Sequence, residues 1–163
     1  ILNISNFNIL GGEPFLNKNL HKLCEVYRKY MPSTNISVWS NGLNIHKFEN
    51  LKTLQDLRIE VKITFHSLSK EYVQVVEQNC KILDSENIKY SFLDGVSSWT
   101  ARYKENDFVE PFDDKNPSRS WEICRCKNSP QLYKRKIYKC APIAYLQDLK
   151  NRHSNFDKYL SYE

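Results

Sequence analysis

The sequence predicts an α/β fold: a partial (β/α) barrel of parallel strands, followed by a small irregular extension that carries a β-hairpin. Three observations point there. Between residues 1 and 93 the hydrophobic period switches repeatedly between two and 3.6, which is the mark of strands alternating with helices. The chain has four glycines, and all of them, Gly11, Gly12, Gly42 and Gly95, fall at the end of an expected strand. The last third carries three cysteines outside any apolar period, around a Tyr- and Lys-rich hairpin pattern.

Taken in order, Ile4 to Leu10 reads as a strand that stops at Gly11-Gly12. Leu20, Leu23, Cys24, Tyr27 and Met31 recur at helical spacing, with Asn17 or Asn19 as N-cap and Pro32 as the stop. Ile36 to Ser40 is a short strand closed by the turn dipeptide Asn41-Gly42. Phe48, Leu51, Leu54 and Leu57 form a short helix, and Ile59, Val61, Ile63 and Phe65 alternate as in a half-buried strand. Ser69 caps a longer helix whose Tyr72, Val73, Val76, Cys80 and Leu83 share one face. Ile88, Tyr90 and Phe92 mark a fourth strand ended by Asp94-Gly95. Such alternation implies right-handed crossovers and a parallel sheet. Residues 1–95 are thus read as the partial barrel and 96–117 as a linker. Residues 118–163 form the cysteine-containing extension, with a hairpin across Leu132 to Lys139 and a terminal helix from about Ile143 to Leu160.

Composition narrows the setting. A mean hydropathy of −0.62, and no apolar stretch near the about 18 residues a span requires, predict no membrane segment. With no signal-like leader, the expected location is cytoplasmic. The 24 Lys and Arg are mixed with 19 Asp and Glu, so the net charge of +5 reads as solvated surface. One basic run, Lys134-Arg135-Lys136 with Lys139, is too short to predict a nucleic-acid partner. Five cysteines, an odd number, argue against a disulfide framework. Cys24 and Cys80 sit in apolar helical patterns as small hydrophobes.

Ligands of parallel α/β folds bind where the strands end at their carboxyl side, which singles out Gly11-Gly12-Glu13-Pro14. The glycines clear side chains from the path of a ligand and permit dihedrals other residues avoid. Glu13 offers a carboxylate to an ammonium group, and Pro14 stiffens the exit.

The run Ile9-Leu10-Gly11-Gly12-Glu13-Pro14-Phe15-Leu16, then an amphipathic helix, a strand and Ser40-Asn41-Gly42, resembles the radical S-adenosylmethionine superfamily over about residues 4–93. The resemblance implies that Glu13 accepts the methionyl ammonium group of S-adenosylmethionine, with Gly11 and Gly12 as its backbone support and Pro14 in the same cofactor-binding segment. It implies further that Asn41 shapes the rim and that His66 and Ser67 contact the ribose or carboxylate. Ser67 and Ser69 are equally readable as helix caps, and His66 as a rim histidine without a catalytic task. In the family, a 4Fe-4S cluster on a CxxxCxxC loop cleaves the cofactor to a 5′-deoxyadenosyl radical, which modifies a peptide or small-molecule substrate. No CxxxCxxC run occurs in these 163 residues. The expectation is therefore a fragment or remnant of such an enzyme that lacks the first strand and cluster loop and is inactive alone. The alternative is a non-enzymatic module that binds S-adenosylmethionine or metal.

Cys124-Arg125-Cys126 and, after thirteen intervening residues, Cys140 are similar to the start of the auxiliary-cluster extension called SPASM or twitch, with Arg135 at its usual Gly position. The three thiols could hold an auxiliary 4Fe-4S cluster, could hold zinc with His153 as fourth ligand, or could be unliganded. Trp121 is read as core or hairpin packing.

Overall fold

The computed structural model describes residues 4–94, 115–124 and 126–152. The chain divides into two compact units, Ile1–Trp99 and Thr100–Glu163. Gly95, Arg125, His153, most of the expected linker and the end of the expected terminal helix lie outside the described residues.

The first unit contains β1 (Asn6–Ile9), α1 (Leu20–Tyr30), β2 (Asn35–Ser40), α2 (Leu51–Asp56), β3 (Glu60–Phe65), α3 (Lys70–Ser85) and β4 (Tyr90–Asp94). The four strands form one parallel sheet in the order β1-β2-β3-β4. Because each strand pairs with the next along the chain, every crossover steps in the same direction, and one hand of crossover then leaves its helix on the same side. The core agrees: Ile9, Ile36, Val38, Val61 and Ile63 from the strands join Leu20 and Cys24 of α1, Leu51 and Leu54 of α2, and Val76, Cys80 and Leu83 of α3 in one buried cluster. Emptying a site such as Leu54 or Leu83 would cost about 2–5 kcal/mol.

Side chains alternate across a strand, so the other face belongs to the residues in between. There stand Asn6 and Asn8, then Asn35, Ser37 and Trp39, then Glu60, Lys62 and Thr64, then Ser91 and Leu93. Parallel sheets usually bury both faces in near-continuous apolar runs. This one is apolar on the helix side and mostly polar on the other, where Trp39 and Leu93 are the apolar side chains.

Helix ends follow local chemistry. Ser69 caps α3, its hydroxyl accepting from the Tyr72 N–H at 3.3 Å. Asn19 stands at the N-cap of α1 without a side-chain cap bond, and Asn17 accepts from the Asn19 N–H instead. After α2 and α3 the chain turns through left-handed residues, Arg58 and Asn87, both at φ 54°. The N–H groups of Ile59 and Ile88 reach back to the carbonyls of Leu54 and Leu83, closing both helices in the Schellman manner.

The second unit contains α4 (Pro117–Ile123), the antiparallel pair β5 (Gln131–Tyr133) and β6 (Lys136–Tyr138), α5 (Ala141–Ala144) and α6 (Leu146–Arg152). The expected hairpin is present, and its two-residue turn holds Lys134 and Arg135 at φ 46° and 65°. That double left-handed turn matches the strand twist and ordinarily takes Asn-Gly, so Arg135 adopts the conformation usually left to glycine. Asp148 of α6 holds the turn, accepting from the Tyr133 hydroxyl at 2.6 Å and the Lys134 ammonium at 2.9 Å. Both bonds, the Tyr133 one foremost, keep the Asp148 carboxyl below its ordinary range. Of the two readings of Trp121, hairpin packing holds and core does not: it is 45% exposed on α4, with the ammonium of Lys139, at the end of the expected hairpin, 3.9 Å from its ring centre. One expectation is corrected. The expected single terminal helix is broken into α5 and α6 at Tyr145.

Candidate functional site

At the carboxyl ends of β1 and β2, the Gly-Gly-Glu-Pro segment turns into a 3₁₀ helix over Pro14–Leu16. Glu13 is its N-cap, extended at φ −144°, and accepts from the Phe15 N–H at 3.2 Å. Pro14 fits the next position because its missing N–H would have had no helical partner. Phe15, 3% exposed, anchors the turn edge-on against Phe48, with ring centres 5.6 Å apart.

The same carboxylate spans to the neighbouring strand. Its Oε1 also accepts from the Ser40 hydroxyl at 2.8 Å, and its Oε2 from the Asn41 N–H at 2.9 Å. An ionised carboxylate has about four acceptor positions. Three are filled by the chain, leaving one on Oε2.

The loop after β2 is fixed from several sides. The Asn41 side chain accepts from the Leu43 N–H at 2.9 Å, an Asx turn. Gly42 has φ 79°, and a Cβ there would stand 2.9 Å from Ile63 Cγ2 and 3.1 Å from Val76 Cγ2. Only glycine meets both demands. Asn79 of α3, 1% exposed, donates to the Gly42 carbonyl at 2.7 Å and accepts from the His46 N–H at 3.2 Å. The Tyr72 hydroxyl donates to the Asn41 carbonyl at 2.6 Å, with the Thr64 carbonyl at 3.2 Å, and so clamps the ends of β2 and β3 together. Burial foremost, and the nearby Glu13 charge, push its phenol above the usual tyrosine range.

Gly11 and Gly12 behave differently from Gly42. Both are exposed, neither takes a positive φ, and a Cβ on either would meet nothing within 4 Å. The expectation that they use glycine-only dihedrals is corrected: the chain itself makes no demand for glycine there, and the bare backbone faces open space.

After β3, the His66 N–H donates to the Tyr72 hydroxyl at 3.4 Å, and its side chain is exposed. The Ser67 hydroxyl oxygen accepts from the Ser69 N–H at 3.1 Å, so both serines take part in starting α3. Glu13 and Asn41 are thus directly joined, and Tyr72 links Asn41 to His66. Sequence reasoning missed Ser40, Asn79 and the site role of Tyr72. Ser40 carried a signal, being a polar residue at an apolar-phase position of its strand.

The late cysteines are all partly exposed. Cys124 caps the end of α4, the Cys126 carbonyl accepts from the Ser129 N–H, and Cys140 precedes α5. Among the described residues no group of three or more His, Cys, Asp or Glu could hold a metal ion. Cys24, fully buried in α1, has its thiol pushed up to about 12 by burial, then by Glu25. It is therefore a protonated, inert core group at neutral pH.

A cleft of about 830 Å³ lies elsewhere, lined by the amino ends of the strands and by Asn8, Ser37, Glu60 and Lys62 of the polar face. Glu13, Asn41, His66 and Ser67 do not line it. Among the described residues no helix is long and apolar enough to cross a membrane.

Compared with known proteins, the chain matches no family model, no curated protein and no solved structure.

Proposed function

We propose that this chain is part of a radical S-adenosylmethionine protein and that its parallel sheet is an arc of a (β/α) barrel binding the cofactor at the carboxyl ends of the strands. The observation that carries this reading is the Glu13 carboxylate at the ends of β1 and β2, held by Ser40 and Asn41 with one acceptor position uncommitted. A carboxylate fixed this way is preorganised for an ammonium group, since its geometry is set before the ligand arrives.

Other features support the same ligand. Gly11 and Gly12 leave bare backbone beside Glu13, where a side chain would obstruct an approaching amino-acid moiety. Ser67 keeps its hydroxyl proton for donation, and exposed His66 stands after the neighbouring β3. Sequential strand order with helices on one side is the arrangement that curls into a barrel, which supports the arc. S-adenosylmethionine supplies the radical chemistry only at a 4Fe-4S cluster. Among the described residues there is no ligand group for one, and the role this reading gives those residues is to hold the cofactor for modification of a peptide or small molecule.

The second reading is favoured by the three bonds Glu13 already accepts: the carboxylate is a structural latch between the first two strand ends. Titration calorimetry of the chain with S-adenosylmethionine, wild type against Glu13→Ala, separates them. Saturable binding that weakens by about tenfold or more in the variant, with unchanged circular dichroism, supports cofactor binding. Equal affinity, or no binding by either protein, leaves Glu13 a latch.

A further inference from the structure

We infer that the polar face of the sheet holds a small carboxylate- or phosphate-bearing molecule, with Lys62 as its counter-charge and the Trp39 ring beside it.

The composition of that face decides what class of partner suits it. A covering helix or second sheet needs apolar surface to bury. Here Asn6, Asn8, Asn35, Ser37, Glu60 and Lys62 line the cleft. Several of these groups are already satisfied, Asn6 by Asn35, Asn8 by Ser37 and Glu60 by Ser91. The group a packed apolar layer would strand is therefore the Lys62 ammonium, and burying a charge without a partner is costly; a hydrated anionic ligand is accommodated instead. The cleft volume of about 830 Å³ is in the range of small-molecule sites.

The side chains of this face are already ordered. The Trp39 indole N–H donates to the Ser37 hydroxyl at 3.0 Å, and that hydroxyl donates to Asn8 Oδ1 at 2.8 Å. Ser37 is only 3% exposed, so the chain fixes the Trp39 ring. One strand over, directly paired with Trp39, the Lys62 ammonium lies 5.8 Å from that ring's centre; Lys62 lines the cleft and Trp39 does not, so the ring senses the site through its contact with the ammonium.

Charge selects an anion. Among the described residues, Lys62 has the Trp39 ring as its neighbour and no carboxylate within ion-pair reach, although it is half-buried. Glu60, two residues earlier on the same strand face, accepts from the Ser91 hydroxyl at 2.8 Å. The charged residues lining the cleft are Arg28, Arg58, Lys62, Lys89, Asp56 and Glu60, an excess of basic over acidic groups. Of these, Arg28 is taken up by backbone carbonyls. Lys62 therefore remains the cation on the ordered part of the face, and a partly desolvated ammonium is stabilised by a bound anion.

The test uses the full chain carrying Trp99→Phe and Trp121→Phe, which leaves Trp39 as its one tryptophan. Its fluorescence is followed at fixed ionic strength during titration with inorganic phosphate and, separately, with benzoate. Saturable change with either is expected, and the tighter of the two identifies the anionic group. Lys62→Gln should weaken it by about tenfold or more, while Lys62→Arg, Lys89→Gln and Glu13→Ala leave it largely intact. The Glu13 arm keeps this result independent of the cofactor reading. No saturation with either anion, or equal losses from Lys62→Gln and Lys89→Gln, overturns the inference.

Discussion

At the amino end of the sheet a cation is wrapped in carbonyls, whereas at the carboxyl end an anion gathers donors and keeps room for one more. Arg28 donates from Nε to Leu57 O at 2.9 Å, from one terminal nitrogen to Pro32 O at 3.1 Å and Thr34 O at 2.9 Å, and from the other to Arg58 O at 3.3 Å. These carbonyls follow the ends of α1 and α2, where the helix dipoles are negative, so the guanidinium is neutralised without a carboxylate. Glu13 instead joins two strand ends and retains an acceptor position beside bare glycine backbone. Both ends are tied, but one tie is complete in itself and the other is not.

That contrast can be broken experimentally. The largest effect is expected from Arg28→Ala, which strips several carbonyls of a charged donor at once. Urea unfolding should show a loss of about 3 kcal/mol, while the surviving folded protein binds S-adenosylmethionine as the wild type does. Gly42→Ala should cost about 2 kcal/mol through its left-handed φ and its collision with Ile63 and Val76. Unlike Arg28→Ala, it should also weaken cofactor binding in the same titration, because it displaces the loop that positions Asn41. The smallest effect is a gain. Arg58→Gly keeps the carbonyl that Arg28 uses and relieves a side chain at φ 54°, so thermal unfolding should report stabilisation of up to about 1 kcal/mol. A loss there instead would mean that the Arg58 side chain contributes to the amino end.

What the sequence revealed follows from the range of the interactions involved. Period and punctuation located the four strands and three α-helices described in the first unit, because alternation of Val61 and Ile63, or the capping hydroxyl of Ser69, is a local matter. The latch of Glu13 to Ser40, the clamp of Tyr72 on Asn41 and the Arg28 carbonyl cage join residues about thirty apart, except where Arg28 meets its own helix end, and no local period encodes them. The glycines split in the same way. Gly42 is dictated by the chain's own packing, while Gly11 and Gly12 answer to nothing within it. In the second unit the short α4 and the break at Tyr145 escaped notice, since seven or fewer residues give too few turns for a helical period to stand out.

The sequential pairing of the strands bears on how the unit is made. Each strand finds its partner in the segment synthesised just before it, so a nascent chain can seat β2 on β1, then β3, then β4, without waiting for distant sequence. The edges offered by β1, β2 and β3 to the next strand each stay open only for the time needed to translate one helix and its loops, which shortens the window in which that unpaired backbone could capture another molecule.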